Sequence, residues 1–367
     1  MQAEIRDPLE NLFSDSAVSD PPRRALALDV ARGSIASVHA LAQGLREGQT
    51  VRLNVRSDQA SRRTVQWFRL LHVPVEENTG LQGFTESSMG DDNRPNPHVV
   101  RRAPFRAFDA MEPIASTVRA QSPTEAFRLH ISISPDTPIG RRHILLQVGS
   151  GASSAELDLD LTVHKATVPP VGQDSILYTN WFSVENMATR HGLKAWSEAH
   201  WTMLRRYAAL MAHARQNTFW VPFSLVFETR RGEPVLQKER LRRYVQTFSR
   251  SGLYYIEGGH VAHRTGGAWT SPTFDLVLNG PRATTPEGNA HLAWVARQLM
   301  AEIDCNHWSS RWIQHVADEP IPENAADYRI LAGMVRKYMP GLPILDAICH
   351  TDFAGAVDHW CPQVQYY

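Results

Sequence analysis

The sequence predicts two domains, an antiparallel β-sandwich followed by a (β/α) barrel of the TIM type. Three observations lead there. Short runs alternating apolar with polar residues fill the first half, and a proline-containing break follows near residue 169. Beyond it, strand-length and helix-length apolar patterns alternate four times over. At 367 residues the chain also exceeds what one hydrophobic core usually organises.

The sandwich rests on segments such as Thr50–Val55, Phe127–Ile133 and Leu157–Val163, each with one apolar and one polar face. Turn residues separate such runs at Ser134-Pro135-Asp136, Pro138-Ile139-Gly140 and Gly149-Ser150-Gly151. Residues 1–23 read as an N-terminal tail and 24–168 as the sandwich. The polar stretch Thr85–His98 reads as a long surface loop. Its Asp91-Asp92-Asn93 lacks the remaining spacing of a calcium loop. Ala166–Asp174 (ATVPPVGQD), with its two prolines, is the predicted linker.

Residues 169–367 form the second predicted domain. Ile176–Trp181 is a strand candidate. Ser197–Gln216 carries Trp201, Leu204, Ala208 and Met211 at helical spacing. Thr218–Phe223 is a strand, and Glu239–Ser251 a helix with Gly252 where a C-terminal cap belongs. Leu253–Ile256, Trp312–Ala317 and Ile344–Ile348 are strands, while Glu287–Asp304 and Glu323–Met339 are helices. This alternation suits a barrel or a doubly wound sheet. The barrel is favoured because Trp181, Glu257 with His260, and Asp318-Glu319 fall at C-terminal strand ends, where barrel sites are built. No glycine-rich phosphate loop follows the first strand, which weakens a nucleotide-binding reading. Pro170–Tyr367 is shorter than the roughly 250 residues of a full eightfold barrel. Five strands and the start of a sixth near Trp360–Tyr367 predict a barrel incomplete at its C-terminus.

Composition excludes several partners. Lys+Arg and Asp+Glu both number 38, so no net field draws in nucleic acid or an anionic membrane. No stretch approaches the roughly 18 apolar residues of a membrane helix. Cys305, Cys349 and Cys361 are too few for a disulfide framework. The first residues carry acids where a signal peptide needs a basic start and an apolar run. The sequence as written therefore predicts a cytoplasmic protein, or a periplasmic or secreted one if the true start lies upstream. It does not address oligomeric state.

The segment Trp312–Pro320 (WIQHVADEP) is the most informative for chemistry. A strand delivers two adjacent carboxylates, Asp318 and Glu319, and proline ends it. Crowded carboxylates split their titrations, which gives a charged partner beside a general acid. Two acids before Pro320 and Pro322 also suit entry into a following helix, and the residues alone leave both readings open. Glu257 and His260 either bind substrate hydroxyls or steady the Gly258-Gly259 turn. Asp346 ends the fifth strand as a hydrogen-bond acceptor, and Asn180 either joins it or satisfies a strand-end backbone group. Trp181, Trp269 and Trp312 are candidate platforms for a sugar ring, or core filler. His260 and His263 form an H-x-x-H without the acidic helix motif of a metal site, so no metal and no cofactor are expected.

Several segments together resemble the catalytic domain of family 123 glycoside hydrolases and the wider bacterial group sharing it. They are Tyr178-Thr179-Asn180-Trp181-Phe182, Glu198-Ala199-His200-Trp201, Ile256-Glu257-Gly258-Gly259-His260, Val316-Ala317-Asp318-Glu319-Pro320 and Leu345-Asp346-Ala347. Phe105–Pro113 resembles part of the β-sandwich often preceding that domain. The resemblance implies a carbohydrate substrate and a retaining exo-β-N-acetylgalactosaminidase using the substrate's own 2-acetamido group. Glu319 would then be the acid/base. Asp318 would orient the acetamido group, and no protein nucleophile would be needed. Asn180, Trp181, Glu257, His260, Trp312 and Asp346 would line the sugar site. Ser183 and Glu185 depart from the group, many members of which carry His and Asp there, and Pro222–Leu225 departs as well. The alternatives are an ordinary retaining glycosidase with a separate nucleophile, and a non-catalytic carbohydrate-binding protein or inactive fragment.

Overall fold

Period-two patterning gives several strands of the first unit one buried face, Thr50–Arg56 and Ser153–Thr167 among them. The computed structural model describes residues 1–56, 65–76 and 99–362. It divides into two compact units, Met1–Pro169 and Pro170–Tyr367. The first contains β1 (Gln2–Arg6), β2 (Ala25–Arg32), β3 (Ile35–Gln43), β4 (Thr50–Arg56), β5 (Val65–Val75), β6 (Phe105–Ile114), β7 (Thr117–Arg119), β8 (Thr124–Ser132), β9 (Gly140–Ser150) and β10 (Ser153–Thr167). They form two five-stranded sheets, ordered β1-β3-β8-β5-β6 and β2-β10-β9-β4-β7. Val38 and Ala40 of β3 and Phe127 and Leu129 of β8 share one buried core with Leu53, Leu146, Leu157 and Leu159 of the other sheet. Each such large side chain contributes about 1.5–3 kcal/mol by leaving water.

Two expectations are corrected here, and a third falls outside the described residues. Residues 1–23 are not simply a tail. β1 pairs with β3 from Gln2 opposite Gln43 to Arg6 opposite His39, and it buries Ala3 and Ile5. Nor is every pair antiparallel, because β10 runs parallel to β2. Alternation reports which face of a strand is buried but says nothing of its partner's direction. Finally, Thr85–His98, with Asp91, Asp92 and Asn93, lies outside the described residues.

The second unit carries α1 (Val184–Arg190), α2 (Glu198–His213), β11 (Thr218–Val221), the short α3 (Phe223–Val226), a hairpin of β12 (Phe227–Arg230) and β13 (Glu233–Leu236), α4 (Lys238–Ser249) and β14 (Tyr255–Gly258). There follow a second hairpin of β15 (Ala262–Arg264) and β16 (Phe274–Leu276), α5 (Pro286–Cys305), β17 (Trp312–Gln314), α6 (Ala325–Tyr338), β18 (Leu345–Ile348) and β19 (His359–Pro362). Caps fix the helix starts. Ser197 accepts from the His200 amide and Thr285 from the Gly288 amide. α4 ends in a turn in which Gly252 sits at φ 106°, a conformation a side chain resists.

Parallel strands β11, β14 and β17 form one sheet. A parallel bridge from Gln314 to Ile344 carries the pattern on to the parallel pair β18 and β19. Among the described residues the sheets are not closed, so the expected barrel is not seen. Five parallel strands fall short of the eight that closure requires. Ile176–Trp181 is likewise not a strand. Buried Asn217 takes over its pairing, accepting from the Tyr178 amide at 2.9 Å and donating to the Gly172 and Ser175 carbonyls at 3.0 and 3.1 Å. No helix among the described residues is long and apolar enough to cross a membrane.

Candidate active site

Strands β14, β17 and β18 bring together side chains far apart in sequence. Glu257 is the penultimate residue of β14, His315 follows β17 and Asp346 is the second residue of β18, and all three are buried. His315 lies between the two carboxylates, with Nδ1 2.6 Å from Asp346 Oδ1 and Nε2 2.7 Å from Glu257 Oε1. The carboxylates are further satisfied. Glu257 accepts from Thr179 Oγ1 at 2.6 Å and from Trp181 Nε1 at 3.0 Å. Asp346 accepts from the Val316 amide at 3.0 Å and from the Tyr328 hydroxyl. Two glycines permit this convergence. A Cβ on Gly258 would lie 2.5 Å from Gln314 Oε1, and one on Gly259 would lie 2.8 Å from the Pro222 backbone.

Burial alone would lower the His315 pKa. The hydrogen bond to Asp346, then that to Glu257, outweigh it and hold the imidazole raised to about 9. His260 faces the opposite balance, with burial and then the neighbouring His315 charge lowering it to about 4. The pair are thus an imidazolium and a neutral imidazole, ring centroids 4.7 Å apart. His260 Nε2 is 3.9 Å from both Asp318 Oδ1 and Asp346 Oδ1.

These opposite shifts set a stability profile. Stabilisation from protonated His315 is complete below its unfolded value near 6.5 and is lost as pH rises towards 9. Neutral His260 costs stability as pH falls from about 6.5 towards 4, where the unfolded chain binds the extra proton. Thermal unfolding should therefore show the second unit losing several degrees between pH 6.5 and 9. His315→Gln should flatten that alkaline limb, and an unchanged limb in the variant would refute the assignment.

His260, His315 and Asp346 offer atoms within 4.8 Å of one another. A metal needs a free nitrogen lone pair, however, and both His315 nitrogens already face carboxylates. The donor set suits an ion-pair network better than a cation. His263 of the H-x-x-H is exposed on β15.

Asp318 and Glu319 follow the same strand. Asp318 is exposed and Glu319 half-buried. Glu319 adopts φ 42°, a left-handed conformation that breaks the alternation of strand side chains. One residue clamps this turn. Arg264 donates Nη1 to the Asp318 carbonyl at 3.1 Å and Nη2 to the Glu319 carbonyl at 2.5 Å, while its guanidinium lies 4.0 Å over the Trp269 ring. Burial lowers the Arg264 pKa, partly offset by the charges of Asp318 and Glu319. Burial and then the Glu319 charge raise the Cys349 thiol.

Trp181 is 46% exposed and stacks on Trp220, ring centroids 4.4 Å apart and planes within 24°. Of the predicted residues, Trp181, Glu257, His260, Asp318 and Asp346 therefore converge, with Glu319 next in the chain. Two do not. Trp312 begins β17, only 1% exposed, and its ring packs on Trp308 while Nε1 bonds Gln314. It is core, because it lies at the opposite end of the strand from the acids. Asn180 is exposed, and among the described residues its side chain reaches only the Tyr178 hydroxyl, at 2.6 Å. His315, Tyr328, Thr179, Trp220 and Arg264 were not foreseen. A histidine inside the strand WIQHVA was the one available signal, since a buried parallel strand is otherwise apolar.

The fold is one found among glycoside hydrolases. A family 123 glycoside hydrolase from Clostridium perfringens, whose structure addresses glycolipid glycan hydrolysis, superposes with a TM-score of 0.72 at 10% identity, covering 100% of this chain and 67% of that one. A β-D-glucuronidase from Dictyoglomus thermophilum gives a TM-score of 0.33 at 11% identity over 90% of this chain and 47% of its own. No family model matches the sequence, and no curated protein matches it.

Proposed function

We infer that the second unit is a glycoside hydrolase acting on a β-linked 2-acetamido sugar, an exo-β-N-acetylgalactosaminidase-like enzyme using substrate-assisted catalysis. The observation that carries this reading is the pair Asp318-Glu319 on an Arg264-clamped, left-handed turn beside His260. In the proposed mechanism Glu319 protonates the leaving oxygen and later takes a proton from the attacking water. Asp318 accepts from the acetamido N–H, turning its carbonyl oxygen towards the anomeric carbon. The bond from that carbon to the leaving oxygen breaks as the oxazoline-type ring closes, and water then reopens the ring with net retention. Adjacent acids suit this scheme because both target groups lie close to one carbon. Trp181, its Nε1 anchored on Glu257 and its face backed by Trp220, is a rigid platform for the sugar's C–H face.

A separate carboxylate nucleophile is less well supported. Glu257 and Asp346 are buried and already accept three hydrogen bonds each. The discriminating experiment compares 4-nitrophenyl 2-acetamido-2-deoxy-β-galactoside with the matching 2-hydroxy galactoside. The acetamido substrate should turn over at least about 100-fold faster, and a thiazoline analogue of the cyclised intermediate should inhibit, since the closed ring resembles the transition state. Equal hydrolysis of the two substrates rejects the mechanism.

A further inference from the structure

The outer face of the first unit's β1-β3-β8-β5-β6 sheet carries a cavity of about 400 Å³, partly walled by the Pro8–Leu12 segment that follows β1. Such a volume lies at the lower end of small-molecule sites, roughly 300–1,000 Å³. Its floor includes His39, only 5% exposed. Among the described residues neither ring nitrogen of His39 has a hydrogen-bond partner. A buried imidazole with two unused nitrogens is uncommon enough to require a reason. Directly across the ladder from it stands Arg128, which also lines the cavity. Arg128 gives its Nε to Ser37 Oγ at 2.6 Å, and its two terminal nitrogens have no partner among the described residues. Two acids also line the cavity, and neither cancels this donor pair. Glu10 is held by Arg6 and Arg23, and Asp109 is exposed. The remaining wall is apolar, with Leu70, Val73 and Phe108.

We propose that this cavity binds a small organic carboxylate, its head between Arg128 and His39 and its apolar body along Leu70, Val73 and Phe108. Two terminal N–H groups of Arg128 match a carboxylate bidentately, and neutral His39 adds one donor. The site is independent of the chemistry assigned to the second unit.

Nuclear magnetic resonance on the whole chain tests it, with the His39 ring signal assigned by His39→Gln. Titration with benzoate should shift that signal saturably, at least tenfold more tightly than benzamide, which has the same shape without the charge. Arg128→Leu should weaken benzoate at least tenfold while leaving the thermal midpoint within a few degrees. If Arg128→Leu fails to fold, the comparison of benzoate with benzamide on the wild-type protein still decides the matter. Equal affinity for the two probes, or no saturable shift of His39 in the millimolar range, overturns the proposal.

Discussion

Glu319→Gln is expected to lower kcat on a β-linked 2-acetamido sugar with an alkyl leaving group by about 100- to 10,000-fold, the usual worth of a positioned acid/base. KM should change little, because the amide keeps the shape and only the proton is lost. The loss should shrink when the leaving group is 4-nitrophenolate, which departs without protonation. Added azide should then restore turnover, since it opens the cyclised intermediate without a base. Asp318→Asn should behave differently. It weakens acceptance of the acetamido N–H, so its penalty should be independent of the leaving group and insensitive to azide. Identical leaving-group profiles for the two variants would break the division of labour proposed for the pair. Arg264, bonded to the backbone carbonyls of both residues, gives no reason to expect either substitution to unfold the turn.

That the pair follows β17 was legible in the sequence from the apolar run before it, although the strand ends at Gln314 rather than at the predicted Ala317. The parallel order β11-β14-β17 followed from alternating periodicities in the same way. What surrounds the pair was not legible. Arg264 and Trp269 belong to a loop region whose short β15–β16 hairpin has no lasting period. Residues such as Thr179 and Tyr328 meet Glu257 and Asp346 only through tertiary contact. Trp312 takes the core-filler alternative left open for it: chain order puts it at the start of β17, away from the acids that follow the strand, and it is 1% exposed. Strand Ile176–Trp181 failed because apolar propensity cannot anticipate that Asn217 will replace a ladder with side-chain bonds.

The largest stability effect should come from Asp346→Ala. The substitution leaves protonated His315 with one carboxylate instead of two, and it strips the Val316 amide and the Tyr328 hydroxyl of their acceptor. Breaking a buried ion pair by removing one partner costs about 3–5 kcal/mol. In a unit of this size that corresponds to a fall in Tm of about 6–20 °C. Asp346→Asn should cost less, because it keeps an acceptor for the Val316 amide while removing the charge. Coupling is the sharper measurement. If His315 is charged because Asp346 and Glu257 hold it so, His315→Phe combined with Asp346→Ala should be less destabilising than the sum of the two changes, since neither variant then leaves the other's charge uncompensated. Strict additivity in that double-mutant cycle, or a loss below about 1 kcal/mol for Asp346→Ala, would mean that the triad is not the electrostatic unit its distances imply. The platform would then lose its stated support, because Glu257 holds Trp181 through the carboxylate that also faces His315.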